Sequence, residues 1–166
     1  VRELQPLHRV EGVHPGVTDV VADRDPVGKD RDRVVGAHAQ VLGDVDAADM
    51  LELATLTRPG PFLSRTLRLG SFVGVREDGR LIAMAGERMK LPGLTEVSGV
   101  CTHPDFRGRG HAGLLSRIVA ARIAARGETP FLHAFASNHA AIRLYEQLGF
   151  VLRRRMSVVA LRREAA

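Results

Sequence analysis

The run Val100-Cys101-Thr102-His103-Pro104-Asp105-Phe106-Arg107-Gly108-Arg109-Gly110-His111-Ala112 limits this chain's folding options more than any other segment. An apolar strand ends at a Pro, a glycine-punctuated turn follows, and a helical apolar run (Leu114, Leu115, Ile118, Val119, Ile123) starts at once. A glycine-rich turn that opens a helix aims several backbone N–H groups at one spot. Those unpaired donors and the helix dipole together favour a phosphate. Arg107 and Arg109 add positive charge beside it. A P-loop is excluded, because the required Lys followed by Ser or Thr is missing. Gly108, Gly110 and Gly113 also satisfy the G-x-G-x-x-G spacing of a dinucleotide fingerprint, so the glycines alone do not separate the two kinds of phosphate loop.

The run Arg107-Gly108-Arg109-Gly110-His111-Ala112 fits the pattern R/Q-x-x-G-x-G/A. A second motif follows about 30 residues later: Asn138-His139-Ala140-Ala141-Ile142-Arg143-Leu144-Tyr145-Glu146-Gln147-Leu148-Gly149-Phe150. In this order, with a helix and a strand between them, the two motifs make the chain resemble the GCN5-related N-acetyltransferase (GNAT) superfamily. The resemblance covers residues 44–161. It implies an acetyl-CoA-dependent N-acetyltransferase that moves the acetyl group directly to a primary amine on a small molecule, an amino acid or a peptide N-terminus. A non-catalytic acyl-CoA sensor or accessory protein on the same fold is the alternative.

The chain's 166 residues suit one domain with a real core. Its single Cys excludes an internal disulfide and fits a reducing compartment, so the cytoplasm is the expected location. No apolar run approaches the ~20 residues of a membrane span. Residues 101–166 hold eleven Arg against four acids, whereas residues 1–100 sum to a net negative charge. A basic third favours an anionic partner such as coenzyme A, unless the arginines are simply solvated. Nucleic acid is not expected, since the few aromatics there read as core and offer no stacking platform. No metal is expected either, because the seven His show no Cys/His ligand spacing. A homodimer is left open.

Residues 1–34, interrupted by three prolines, read as loop or as an N-terminal extension of unclear order, and 35–166 as the acetyltransferase domain. Within that domain the expected order is a strand at 35–42, a helix capped by Asp44 or Asp46 and running through Leu56, and a short helix at 62–69. Strands at 71–76 and 81–89 flank an Asp78-Gly79 hairpin turn, and a third strand covers 95–102. Then come a helix at 110–126, a strand at 130–136, a helix at 138–148 and one or two strands at 151–161. This is an α/β fold with a mixed, mostly antiparallel central sheet and helices on both faces.

The resemblance assigns the site. Arg107, Gly108, Arg109, Gly110, His111 and Ala112 would hold the pyrophosphate; an ordinary turn is the competing reading of the glycines. Val100, Cys101 and Thr102 would pair with the pantetheine arm beside a gap to the next strand, and Asn138 would contact it. A backbone N–H near Val100 or Cys101 would face the thioester carbonyl, where one donor is typically worth ~3–4 kcal/mol. Tyr145, the only Tyr, would touch the cofactor and protonate the leaving thiolate; a purely packing Tyr is the alternative. For the general base, Glu96 and Glu87 are the candidates, with Glu96 first, although either also reads as an exposed strand residue. His103 reads as a surface turn residue able to act through water, and His133 as structural. The acceptor side is expected near Pro59-Gly60-Pro61-Phe62.

Overall fold

The computed structural model describes residues 13–22 and 39–159. Seven strands form one sheet: β1 (Val13–Ala22), β2 (Ala39–Leu42), β3 (Phe72–Glu77), β4 (Arg80–Leu91), β5 (Leu94–Thr102), β6 (Thr129–Phe135) and β7 (Phe150–Val159). Three helices accompany them: α1 (Ala47–Thr57), α2 (His111–Ala125) and α3 (His139–Gln147). The strand order is β2-β3-β4-β5-β6-β1-β7. Every neighbouring pair is antiparallel except β5 and β6. This is the mixed, mostly antiparallel sheet expected.

Local chemistry explains the elements. Asp78 (φ 49°) and Gly79 (φ 80°) both take the left-handed conformation that a two-residue hairpin turn needs. The next strand, β4, is buried from Leu81 to Glu87 because helices cover both of its faces. On one face α1 sets Met50, Leu53 and Ala54 against Phe72, Leu81, Met84 and Cys101. On the other, α2 sets Leu115, Val119 and Ile123 against Val73, Ala85, Val97 and Leu132, and Tyr145 and Phe150 join that cluster. Each fully buried aliphatic side chain contributes roughly 1.5–3 kcal/mol before packing losses.

Two expectations are corrected. Residues 13–22 are a strand, not loop, and lie between β6 and β7. Pro15, one of the three prolines, had argued against a strand. The register of β1 against β7 shifts between His14 and Val17, so the Pro, which has no N–H, falls in an irregularity rather than in the ladder. The short helix expected at 62–69 shrinks to a single 3-10 turn, Thr66–Leu69. There the Thr66 hydroxyl accepts the Leu63 N–H at 2.8 Å, and Gly70 ends the turn in an extended conformation. Of the strand expected at 35–42, residues 35–38 lie outside the described residues.

The feature that positions the site is the short β5–β6 pairing. The strands meet at Leu94↔Thr129, Thr95↔Pro130 and Glu96↔Phe131, and no further. Past Glu96 the two strands diverge. On the other edge of β5 the register against β4 jumps from Gly86↔Ser98 to Met84↔Cys101. That leaves Gly99 and Val100 opposite the single residue Ala85, a β-bulge with Gly99 at φ 64°. Val100 therefore sits in a ladder with neither neighbour.

Candidate active site

The divergence opens a cleft of about 510 Å³. Its walls are the bulged end of β5, the glycine loop, the start of α2, one side of α3 and the end of α1. Val100, Cys101, Thr102, Arg107, Gly108, Gly110, His111, Ala112, Asn138 and Tyr145 all line it. The two sequence motifs thus face one another across a single space.

The glycine loop is built for close approach. Gly108 (φ 76°) and Gly110 (φ 84°) both hold a backbone conformation costly for other residues, and neither has an atom within 4 Å of where a Cβ would stand. Gly110 caps α2, so that helix begins at the cleft wall. Two buried polar atoms on the wall, Thr102 Oγ1 and His111 Nε2, have no hydrogen-bond partner among the described residues. Buried polar atoms are normally satisfied, so two orphans on one cleft mark where a polar ligand belongs. The pyrophosphate and amide-bearing arm of an acyl-CoA fit this donor set, with Arg107 at the mouth.

Arg109 departs from the expectation. It is absent from the lining; its guanidinium lies 4.9 Å from the Phe106 ring centroid and 3.7 Å from the Glu77 carboxylate. Asn138 is occupied in part as the α3 cap, its Oδ1 accepting the Ala141 N–H at 3.1 Å.

Tyr145 is 8% exposed, on the wall opposite the β5 bulge, with its ring edge-on to Phe150 at 6.0 Å. Burial, helped by the nearby Cys101, pushes its phenol up to about 12. The phenol therefore keeps its proton at neutral pH and is available as a hydrogen-bond donor on the cleft wall. Cys101 is likewise pushed up by burial, to about 11, and stays a thiol.

Neither candidate carboxylate lines the cleft, and the two differ. Glu87, 1% exposed, lies on the α2 face. Arg126 holds it at 3.0 Å and Lys90 at 3.3 Å. Glu96, also 1% exposed, lies on the α1 face. Arg88 holds it through Nε and Nη2, each at 3.0 Å, and His133 Nδ1 stands 2.8 Å from its Oε1. Burial alone would raise the Glu96 carboxyl, but the His133 and Arg88 hydrogen bonds outweigh it and hold the group below its ordinary value. Both are core ion pairs, not the exposed strand residues of the competing reading. His103 is not on the surface either: it is 7% exposed, contacts Arg80 at 2.8 Å and lies off the cleft.

Sequence reasoning missed Thr57 and Arg58, which together with Pro59 of the expected acceptor loop form the α1 rim of the cleft. Arg58 ends α1 in a left-handed conformation (φ 50°), a feature invisible in its residue type. Among the described residues no helix is long and apolar enough to cross a membrane, and no group of three His, Cys, Asp or Glu could hold a metal ion.

A sheet split by one short parallel pairing, with a glycine loop and a capped helix facing the split, defines the GNAT class of α/β fold. Residues 72–159, more than half the chain, match the FR47-like protein family, and the chain belongs to that family. It is similar to a solved structure from Novosphingobium aromaticivorans assigned to the GNAT family as an acetyltransferase. That likeness is 48% identity over 93% of this chain and 69% of the other, with a TM-score of 0.79. It is also 31% identical over 108 residues to mycothiol acetyltransferase of Mycobacteroides abscessus, a match covering 64% of this chain and 34% of the relative. The chain thus spans about a third of that relative's length. The ribosomal-protein-S18-alanine N-acetyltransferase of Escherichia coli shares the fold, with a TM-score of 0.58 and 23% identity over 67% of this chain and 76% of that one.

Proposed function

We propose that the protein is an acetyl-CoA-dependent N-acetyltransferase that passes the acetyl group directly to a primary amine. The observation that carries this reading is the convergence of the glycine loop, two orphaned polar atoms and Tyr145 on one cleft. Arg107, the loop backbone and His111 would hold the phosphates, while Thr102 and Asn138 would contact the pantetheine arm. The unpaired bulge at Val100 would offer its N–H to the thioester carbonyl, and Tyr145 would donate to the leaving sulfur. The acceptor class remains a small amine, an amino acid or a peptide N-terminus. Calorimetry with acetyl-CoA tests the first half: saturable binding to folded protein is expected, and no binding refutes the reading. Thiol release over an amine panel tests the second. Thioester loss that no amine accelerates refutes transfer and favours a sensor.

A further inference from the structure

We propose that His133 and Glu96 form a proton-accepting pair, with His133 as the catalytic base for the incoming amine and Glu96 as its positioning residue. This inference rests on the N-acetyl transfer reading.

The pair stands where the strands part. Glu96 is the last β5 residue paired to β6, opposite Phe131, and His133 comes two residues later. Side chains two apart on a strand share a face, so His133 follows Phe131 on the Glu96 side of the sheet. The distance His133 Nδ1 to Glu96 Oε1 is 2.8 Å. Exposure then separates their roles. The Glu96 side chain is 1% exposed and enclosed by Arg88 and His133, whereas the His133 side chain keeps 20%. The imidazole is partly open to solvent and the carboxylate is not; neither lines the cleft, so the imidazole would reach the amine through water.

The hydrogen bonds also fix the tautomer. Arg88 grips Glu96 with two donors, so the carboxylate stays an ionised acceptor. Nδ1–H then donates to Glu96, and Nε2 is the nitrogen through which the ring takes a proton. Phe131 stands edge-on to the imidazole at 5.6 Å and limits its rotation. Arg88 also reaches the Pro61 carbonyl at 3.4 Å, which ties the cluster to the loop continuing from Arg58 and Pro59 on the cleft rim. Among the described side chains the charged groups around His133 are Glu96 on β5 and Arg88 on β4; on β1 the residue in register with His133 is Asp19. Glu87 offers no such chemistry, because its partners are two cations.

The proton balance is complete. His133 Nε2 removes one proton from the substrate ammonium, through water, and later releases it to solvent. The amine lone pair attacks the thioester carbon, so a C–N bond forms and the C–S bond breaks. The leaving sulfur ends as a thiol, with the nitrogen's second proton matching the one it gains by way of Tyr145.

The test uses the full chain and an amine that the panel identifies. His133→Ala is expected to lower kcat about 100-fold at neutral pH, the low end of general-base effects. Acetyl-CoA affinity, read by calorimetry, should not change. The defect should shrink as pH approaches the amine's own pKa, where no base is needed; a merely structural histidine would give a pH-independent loss. His133→Gln provides a second variant that keeps a polar side chain, and it should show the same pH-dependent loss. Glu96→Gln should lower kcat about tenfold while the amine KM and acetyl-CoA affinity hold, because the ring loses the acceptor that orients it. A His133→Ala enzyme within twofold of wild-type kcat at neutral pH overturns the base and leaves the transfer reading standing. A Glu96→Gln enzyme with wild-type kcat overturns the pair. A wild type that binds acetyl-CoA but acetylates no amine overturns the transfer reading itself, and the base with it.

Discussion

Residues 94–97 and 98–102 belong to one strand, β5, yet they treat their polar groups in opposite ways. The first stretch is closed. Thr95 donates to Glu128 at 2.7 Å, Glu96 is held by Arg88 and His133, and Val97 sits opposite Glu87, itself gripped by Arg126 and Lys90. The second stretch is open. Its bulge leaves Val100 outside both ladders, and Thr102 Oγ1 is buried without a partner. Unmet hydrogen-bonding capacity is costly in a protein that needs only to fold. Thr102 Oγ1 and, at the start of α2, His111 Nε2 stand on the same cleft wall, where a ligand would supply the missing partners.

The sharpest way to break this contrast is at the open end. Gly110→Glu places a charged side chain in the cleft at a backbone position with φ 84°. Acetyl-CoA affinity is expected to fall more than 100-fold, which is about 3 kcal/mol or more. Calorimetry reads the loss and thermal melting confirms the fold; near-normal affinity would mean the loop is an ordinary turn.

The next effect belongs to the closed end. Glu87→Ala removes a buried carboxylate from two half-exposed cations. With solvent screening of those partners, a stability loss of about 2 kcal/mol is expected in urea unfolding. Acetyl-CoA affinity should hold; a collapse in affinity would show that the two ends are not separable.

Tyr145→Phe is gentler. It keeps the packing against Phe150 and removes one donor from the cleft. Turnover is expected to drop about tenfold with acetyl-CoA affinity nearly unchanged, worth roughly 1.4 kcal/mol in the barrier. Unchanged turnover would reduce Tyr145 to a packing residue.

The smallest effect is the pH dependence of the closed end. The Glu96 carboxyl is held below its ordinary value of 4.5, so its contribution to stability is present above that pH. It is lost as pH falls through the lowered folded value. The urea midpoints of wild type and Glu96→Gln should therefore differ at neutral pH and converge in acid; a constant gap would mean that the carboxylate charge plays no part.

The open end was legible in the sequence because its chemistry is local. Glycines at fixed spacing, a helix start and a cap at Asn138 are all written within a few residues. The closed end was only partly legible. Glu96 and Glu87 stood out as carboxylates in apolar strands, but Arg88, His133 and Arg126 reach them across strands or from a helix end, and nothing in the spacing announces such contacts. Arg109 misled for a related reason: its position matched the loop, but Phe106 and Glu77 draw it away. The α1 rim was hidden because Arg58's left-handed turn follows from how the helix ends, not from its residue type.

The strand built from residues 13–22 has a consequence in time as well as in space. Val17 pairs with Phe135, and Val13 with Val159, so nearly the whole described chain separates these partners. During synthesis this segment is made before β6 and β7, the two strands it pairs with. It must wait for β7 before the far half of the sheet can close. Contacts so distant in sequence slow folding, because the loop entropy is lost before the pairing rewards it. Until then the outer edge of β6 is exposed to pairing with other chains.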